Sequence, residues 1–160
     1  MIVRVVILTA AVVAALVLPA AASAGTAVAI AGGSTGNTRC TITVKKTQPL
    51  IYLWGDGDIY DFSGATDCTA AIQQTGQASL PGPGGDSPTV YGPLCSGVAT
   101  TCSSSGVAQG NYSAPAEYHV TLTAPAGQLW IGSPADCTGV ATASLDCTVA
   151  AQNYLRAISS

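Results

Sequence analysis

Residues 117–151 constrain the fold of this chain more than any other part of its sequence. Polar and apolar side chains alternate over 117–123, a pattern typical of a β-strand with one buried face. A proline-glycine turn follows, and residues 128–131 begin a second strand. Cys137 and Cys147 then flank what the pattern predicts to be two more short strands. Short strands separated by turns favour an all-β domain.

Polar and apolar side chains also alternate strictly over residues 39–45, and this pattern predicts a strand with one solvent-exposed face. Cys40, Ile42 and Val44 lie on the side predicted to be buried.

Residues 51–62 predict a β-hairpin. Two apolar runs, 51–54 and 59–62, flank Asp56-Gly57, and Asp-Gly favours a type I′ turn because both central residues need positive φ. The predicted pairs are Leu53–Tyr60 and Ile51–Phe62 on the core face, with Trp54–Ile59 and Tyr52–Asp61 on the other. This pairing leaves Tyr52 and Trp54 half exposed beside carboxylates.

The remaining segments carry weaker patterns. Residues 66–77 predict at most a single helical turn, and 106–116 predict a polar loop. Residues 80–88 predict an extended loop, since proline removes backbone donors and glycine is costly to order. A brief strand is expected at 89–91. With no amphipathic helix in the pattern, the sequence predicts a β-sandwich, and a sheet closed on itself is the alternative.

The N-terminus has the layout of a secretory signal peptide. Arg4 supplies a basic start, residues 5–18 are continuously apolar, and 22–24 form a small-x-small cleavage site. Cleavage after Ala24 would leave residues 25–160 as a single secreted domain. An uncleaved membrane anchor is the alternative. No later apolar run approaches the length of a membrane span, so no membrane contact is expected after cleavage.

All six cysteines lie beyond the predicted signal peptide. In an oxidising compartment such an even set indicates a disulfide framework. Sequence alone permits many pairings, but proximity favours Cys95–Cys102 and Cys137–Cys147, which leaves Cys40–Cys68. A metal site is disfavoured because there is no C-x-x-C pair and only one histidine.

Charge excludes one large class of function. The chain has five lysines and arginines against eight acidic residues, and the cations form no cluster. Without a basic patch there is little to neutralise phosphates, so nucleic-acid binding is disfavoured. The bias towards alanine, glycine, threonine and serine is typical of an exported bacterial protein.

The last quarter of the chain resembles a known family. The pattern Tyr118-x-Val120-x-Leu122, a Pro-x-Gly turn, Cys137 and Cys147 resembles the repeated Ig-like domains of bacterial secreted and cell-surface proteins. In those domains a strand, this turn and a cysteine-bracketed hairpin follow in the same order. Residues 152–156 depart from the usual closing strand. The resemblance implies an Ig-like spacer or adhesive module, and it implies no catalytic residue.

Three polar residues are candidates for catalysis. Ser34 lies in a G-x-S-x-G match, but the residues after it are strand-like, whereas a nucleophile elbow needs a helix there. Ser87 follows Gly85 and Asp86, which resembles the serine loop of chymotrypsin-like proteases, but Pro88 replaces an oxyanion-hole glycine. His119 lies on the polar side of its strand and is interpreted as a solvated residue.

The hairpin offers the best binding candidates. Asp56, Asp58 and Asp61 could supply oxygen ligands to a weak calcium site, although the loop departs from the EF-hand pattern. Tyr52 and Trp54 could stack on sugar rings, whereas Trp130 is expected in the core.

The sequence therefore predicts an exported, non-catalytic, disulfide-stapled Ig-like sandwich that binds an extracellular protein or glycan. No cofactor is expected. A carbohydrate-binding module is the first alternative, and a small hydrolase centred on Ser34 or His119 is the second.

Overall fold

The computed structural model describes residues 21–48, 58–132 and 136–152, and within them every regular element is a β-strand. The strands are β1 (Ala21–Gly33), β2 (Gly36–Gln48), β3 (Asp58–Leu80), β4 (Val90–Tyr91), β5 (Cys95–Gly110), β6 (Glu117–Thr123), β7 (Gln128–Gly132), β8 (Cys137–Thr138) and β9 (Ser144–Ala150). The all-β prediction is confirmed. None of the described residues forms a helix of the length and apolarity that a membrane span requires.

One long strand organises the sheet. The strand order is β7-β1-β2-β3-β6-β9-β8, and β3 also pairs with β4 and β5. Residues 61–68 of β3 pair with β2, while residues 73–79 pair with β6. Strand β5 follows β3 through both halves, with a register shift between Asp67 and Ile72. The sheet bends at this shift and curls around a single core.

The two ends of the curled sheet approach each other at β1. The backbone N–H of Gln152, just after β9, donates to the carbonyl of Ala24 in β1 at 3.3 Å. Strand β7 pairs with the other end of β1. Trp130 of β7 also exchanges backbone hydrogen bonds with Ala141 and Thr142 at 2.7 and 3.0 Å. These contacts satisfy backbone groups that an open sheet edge would leave unpaired.

The core follows the predicted alternation. Tyr118, Val120 and Leu122 of β6 are buried, as predicted. Trp130 is fully buried, and its indole N–H donates to the carbonyls of Leu122 and Ala143 at 3.3 and 3.2 Å. The prediction of a core tryptophan is therefore confirmed. The residues on either side of Trp130 face outwards, as the pleat of a strand requires.

Three disulfides staple the sheet. Cys40 lies directly opposite Cys68 on neighbouring strands, and Cys137 lies directly opposite Cys147. Cys95 and Cys102 belong to the same strand, β5, and their Cα atoms are 5.8 Å apart because the strand bends between them. These are the predicted pairs. A set of three disulfides is typical of proteins that mature in an oxidising environment.

Two loop and helix predictions are wrong. The segment 66–77 contains no helical turn, since it lies inside β3 and pairs with β5 and β6. Its threonines and glutamines gave no clear period because polar Thr66 and Gln74 face the core. The polar loop predicted at 106–116 begins later, because residues 106–110 complete β5.

The predicted hairpin register is also wrong at Asp61 and Phe62. Asp61 pairs with Thr47 and Val107, and its neighbour Phe62 also has partners in β2 and β5. A strand residue has only two edges, and β2 and β5 occupy both edges of Asp61 and of Phe62. Tyr52, Trp54 and Asp56 lie outside the described residues.

The predicted signal cleavage site lies within β1. Ala22, Ser23 and Ala24 pair with the last residues of β2. Removal of residues 1–24 would leave the ladder between β1 and β2 intact from Gly25 to the turn at Ser34.

Candidate functional site

A groove of about 460 Å³ crosses the outer face of β2, β3 and β5. Its volume falls in the range of small-ligand sites. Two rows of paired residues form it, one through Ser63 and one through Asp61. The lining residues are Lys45, Thr47, Asp61, Phe62, Ser63, Ser105, Gly106 and Val107.

The pleat and the small side chains shape this groove. Successive residues of a strand point to opposite faces, so the odd-numbered lining residues face outwards while Phe62 is buried. The middle of the groove is lined by Ser63 and Ser105, whose side chains are short. Gly106 pairs with Phe62, and a Cβ atom at Gly106 would overlap the phenyl ring. The aromatic ring therefore sits close under the groove.

The groove carries one charge of each sign. Lys45 lies on β2 and Asp61 lies on β3, one row apart on the same face. Among the described residues, neither side chain forms an ion pair or a hydrogen bond within the protein. Val107 adds apolar surface at the rim, with 61% of the residue exposed. The groove thus combines an ammonium, a carboxylate, three hydroxyls and an apolar edge.

Lys46, next along β2, points the other way and is buried. Its Nζ donates to the carbonyls of Tyr112 and Ala114, both at 2.6 Å, and lies 4.6 Å from the centre of the Tyr60 ring. Burial lowers the pKa of Lys46 below its usual value. Through these hydrogen bonds Lys46 holds the segment after β5, which contains Tyr112 and Ala114, against the sheet. Sequence reasoning missed it, although extending the alternation of 39–45 by one residue places Lys46 inwards.

The lone histidine has a partner that the sequence did not indicate. His119 Nε2 lies 3.0 and 3.1 Å from the two carboxylate oxygens of Asp146, and the Thr121 hydroxyl donates to the same carboxylate at 3.2 Å. The side chains of the His119–Asp146 pair are 59% and 50% exposed. The pairing of β6 with β9 brings these residues together on an open sheet surface.

Neither candidate nucleophile joins this pair. Ser34 lies in the two-residue turn between β1 and β2, which are antiparallel, so no helix follows it. Ser87 closes a short turn with Gly84 and is not a partner of His119. The strand-to-helix geometry that a nucleophile elbow requires is not formed at Ser34.

The predicted acidic cluster is only partly described. Asp58 accepts a hydrogen bond from the Tyr60 hydroxyl at 3.2 Å. Burial is the larger cause, and the Asp58 carboxylate the smaller cause, of a raised pKa at Tyr60. Asp61, three residues along the strand, lies on the opposite face. Since Asp56 lies outside the described residues, the calcium site stays a prediction. Within the described ranges no group of three or more His, Cys, Asp or Glu residues is arranged to hold a metal ion.

Of the predicted binding residues, the structure therefore places Asp61 in a groove and Asp58 beside Tyr60. Sugar stacking on Tyr52 and Trp54 stays a prediction. Comparison with known proteins gives no match to a family model, a curated protein or a solved structure.

Proposed function

We propose that this chain is an exported, non-catalytic interaction module that binds an extracellular protein or glycan through the groove around Asp61. The observation that carries the proposal is the pair of charged side chains, Lys45 and Asp61, which have no partner among the described residues and line a recess of ligand size. A carboxylate and an ammonium without partners are available to bind a ligand, and the strands that hold them are already paired.

The proposal includes removal of residues 1–24 as a signal peptide and an Ig-like sandwich for residues 25–160. The three disulfides support export, because such bonds persist in oxidising compartments. The curled sheet and the buried Trp130 are compatible with an Ig-like sandwich, in which a buried tryptophan is a regular feature.

The geometry around His119 supports a non-catalytic role. A general base needs a proton to abstract within hydrogen-bond reach. The hydrogen bonds of His119 go to Asp146, on an open surface rather than in a recess. The pair is more simply a cross-strand contact of the kind that stabilises sheets.

An activity assay and a binding assay together test the proposal. Wild type and His119→Ala should be indistinguishable against chromogenic ester and peptide substrates. Hydrolysis by the wild type that disappears in His119→Ala would refute the non-catalytic assignment.

A soluble extract of bacterial envelope, titrated into isotope-labelled protein, should shift the amide resonances of groove residues. Shifts confined to other surfaces would refute the groove as the binding site.

A further inference from the structure

We infer that the groove around Asp61 binds an uncharged saccharide. This inference rests on the proposed function and names the ligand class of that site. It does not depend on Tyr52 and Trp54, the two aromatic residues predicted to stack on sugar rings.

The charges of the groove balance each other. One ammonium, at Lys45, and one carboxylate, at Asp61, line the groove, so its net charge is zero. A phosphate or sulfate would meet a carboxylate as well as the lysine, and a metal ion would meet an ammonium. Like-charge contacts of this kind disfavour binding. A ligand without net charge avoids both penalties.

The polar groups of the groove match the hydrogen-bonding capacity of a sugar. The hydroxyl groups of Thr47, Ser63 and Ser105 can each donate and accept, whereas Lys45 only donates and ionised Asp61 only accepts. Sugar hydroxyls also donate and accept. A pair of neighbouring sugar hydroxyls can therefore donate to Asp61 and accept from Lys45 at the same time. Hydrogen bonds to charged groups are the stronger ones.

The shape of the groove also suits a sugar ring. The short side chains of Ser63 and Ser105 leave a shallow trough across the strands, and Val107 forms an exposed apolar rim. A sugar ring presents carbon-bound hydrogens on its faces and hydroxyls around its edge. The apolar face can lie against Val107 while the edge reaches the polar groups. A volume of about 460 Å³ accommodates a ligand of roughly one or two sugar rings.

Amide chemical-shift mapping of isotope-labelled protein tests the inference. The probes are the uncharged disaccharides cellobiose, maltose and N,N′-diacetylchitobiose, with glycylglycine as a zwitterionic comparison. At least one disaccharide should shift the amides of groove residues, Asp61 and Ser105 among them, and glycylglycine should shift them less. Asp61→Asn should weaken disaccharide binding about tenfold, because a charged hydrogen-bond acceptor is lost.

Asp67→Asn is the matched control. Asp67 is exposed on the same face of the same strand but pairs in a different row, outside the groove. It should bind disaccharide as the wild type does. Since Asp61 and Asp67 are both exposed, both variants should keep the spectrum of the folded protein.

Three results would overturn the inference. They are the absence of groove shifts with every disaccharide, equal effects of the two aspartate variants, and stronger binding of glycylglycine than of any disaccharide. If the envelope extract still shifts the groove amides when the disaccharides do not, the proposed interaction module stands and only the saccharide assignment fails.

Discussion

Tyr118 shows how single residues set the spacing between the two halves of the curled sheet. Its ring packs against Gly64 in the first half of β3, and its hydroxyl lies over Gly76 in the second half. The hydroxyl donates to the carbonyl of Cys102 at 3.2 Å. Both glycines are required for close approach, because a Cβ atom at either position would overlap the tyrosine.

Gly64→Ala should therefore destabilise the protein by about 1–3 kcal/mol, the usual cost of overpacking a filled core. The free energy of unfolding, from urea denaturation, measures the effect. Gly132→Ala is the control, since among the described residues a Cβ atom there meets only the Cβ of Ile30, at 3.9 Å. Equal stability of the two variants would contradict the packing described for Tyr118.

Tyr118→Phe should cost about 1–2 kcal/mol near neutral pH, because the buried carbonyl of Cys102 loses its donor. This cost should shrink as the pH rises above about 10. Burial raises the pKa of Tyr118 above its usual value of 10.0. In that range the unfolded chain releases the phenolic proton of Tyr118 while the folded chain retains it, so this group lowers the stability of the wild type as the pH rises. The variant lacks this group and therefore lacks this contribution.

Urea denaturation of both proteins at several pH values from neutral to alkaline checks this prediction. Other titrating groups, Tyr60 and Lys46 among them, are present in both proteins and largely cancel in the difference. A difference in unfolding free energy that stays constant across the range would show that Tyr118 has no raised pKa.

At the scale of elements, the three disulfides should contribute unequally. Cys40 and Cys68 are separated by 28 residues, whereas Cys95 and Cys102 are separated by 7. The chain-entropy relation gives about 3.6 kcal/mol for the longer loop and about 2.4 kcal/mol for the shorter one. Replacing Cys40 and Cys68 by alanine should therefore lower the unfolding free energy more than replacing Cys95 and Cys102.

Thermal and urea denaturation of the two double variants provides the measurement, and reduced wild type gives the lower limit. Cys40 and Cys68 are also both buried, so their replacement removes core packing as well as the disulfide. This lost packing further increases the loss of unfolding free energy expected for that double variant. A greater loss from the Cys95 and Cys102 pair would indicate that the bend in β5 is more critical than the link between β2 and β3.

The strands that the sequence predicted well share one property. In 39–45 and 117–123 the inward positions are apolar and the outward positions polar, so local pattern and tertiary burial agree. Strand β3 breaks this agreement. It buries Gly64, Thr66, Gln74 and Gly76, which give no hydrophobic period. Its length and its bend follow from pairing with β2, β5 and β6, and no local pattern contains that information.

The candidate site was predictable only in part for the same reason. Asp61 was predictable as a binding residue, because acidic residues beside a predicted turn are visible in the sequence. The rest of the groove comes from β2 and β5, and Ser105 lies within β5, a segment with no charged residue and little alternation. His119 was correctly expected on a polar face, but its partner Asp146 depends on the pairing of β6 with β9.

At the scale of the whole molecule, the fold combines a modest core with covalent links. The cysteine pairs join β2 to β3, join β8 to β9, and close the bend in β5. With all six cysteines paired, the reducing cytoplasm would be an unfavourable place for this chain to fold. The groove lies on β2, β3 and β5, the strands that two of these bridges hold, so its geometry also depends on oxidation.

We propose that this chain is exported and that its fold depends on three specific disulfides. Mass spectrometry of the unreduced protein recovered from outside the cell, with peptide mapping, tests it most directly. We expect a mature chain that begins at Gly25, no free thiol, and the pairs Cys40–Cys68, Cys95–Cys102 and Cys137–Cys147. Retention of the full chain inside the cell with reduced cysteines would contradict it.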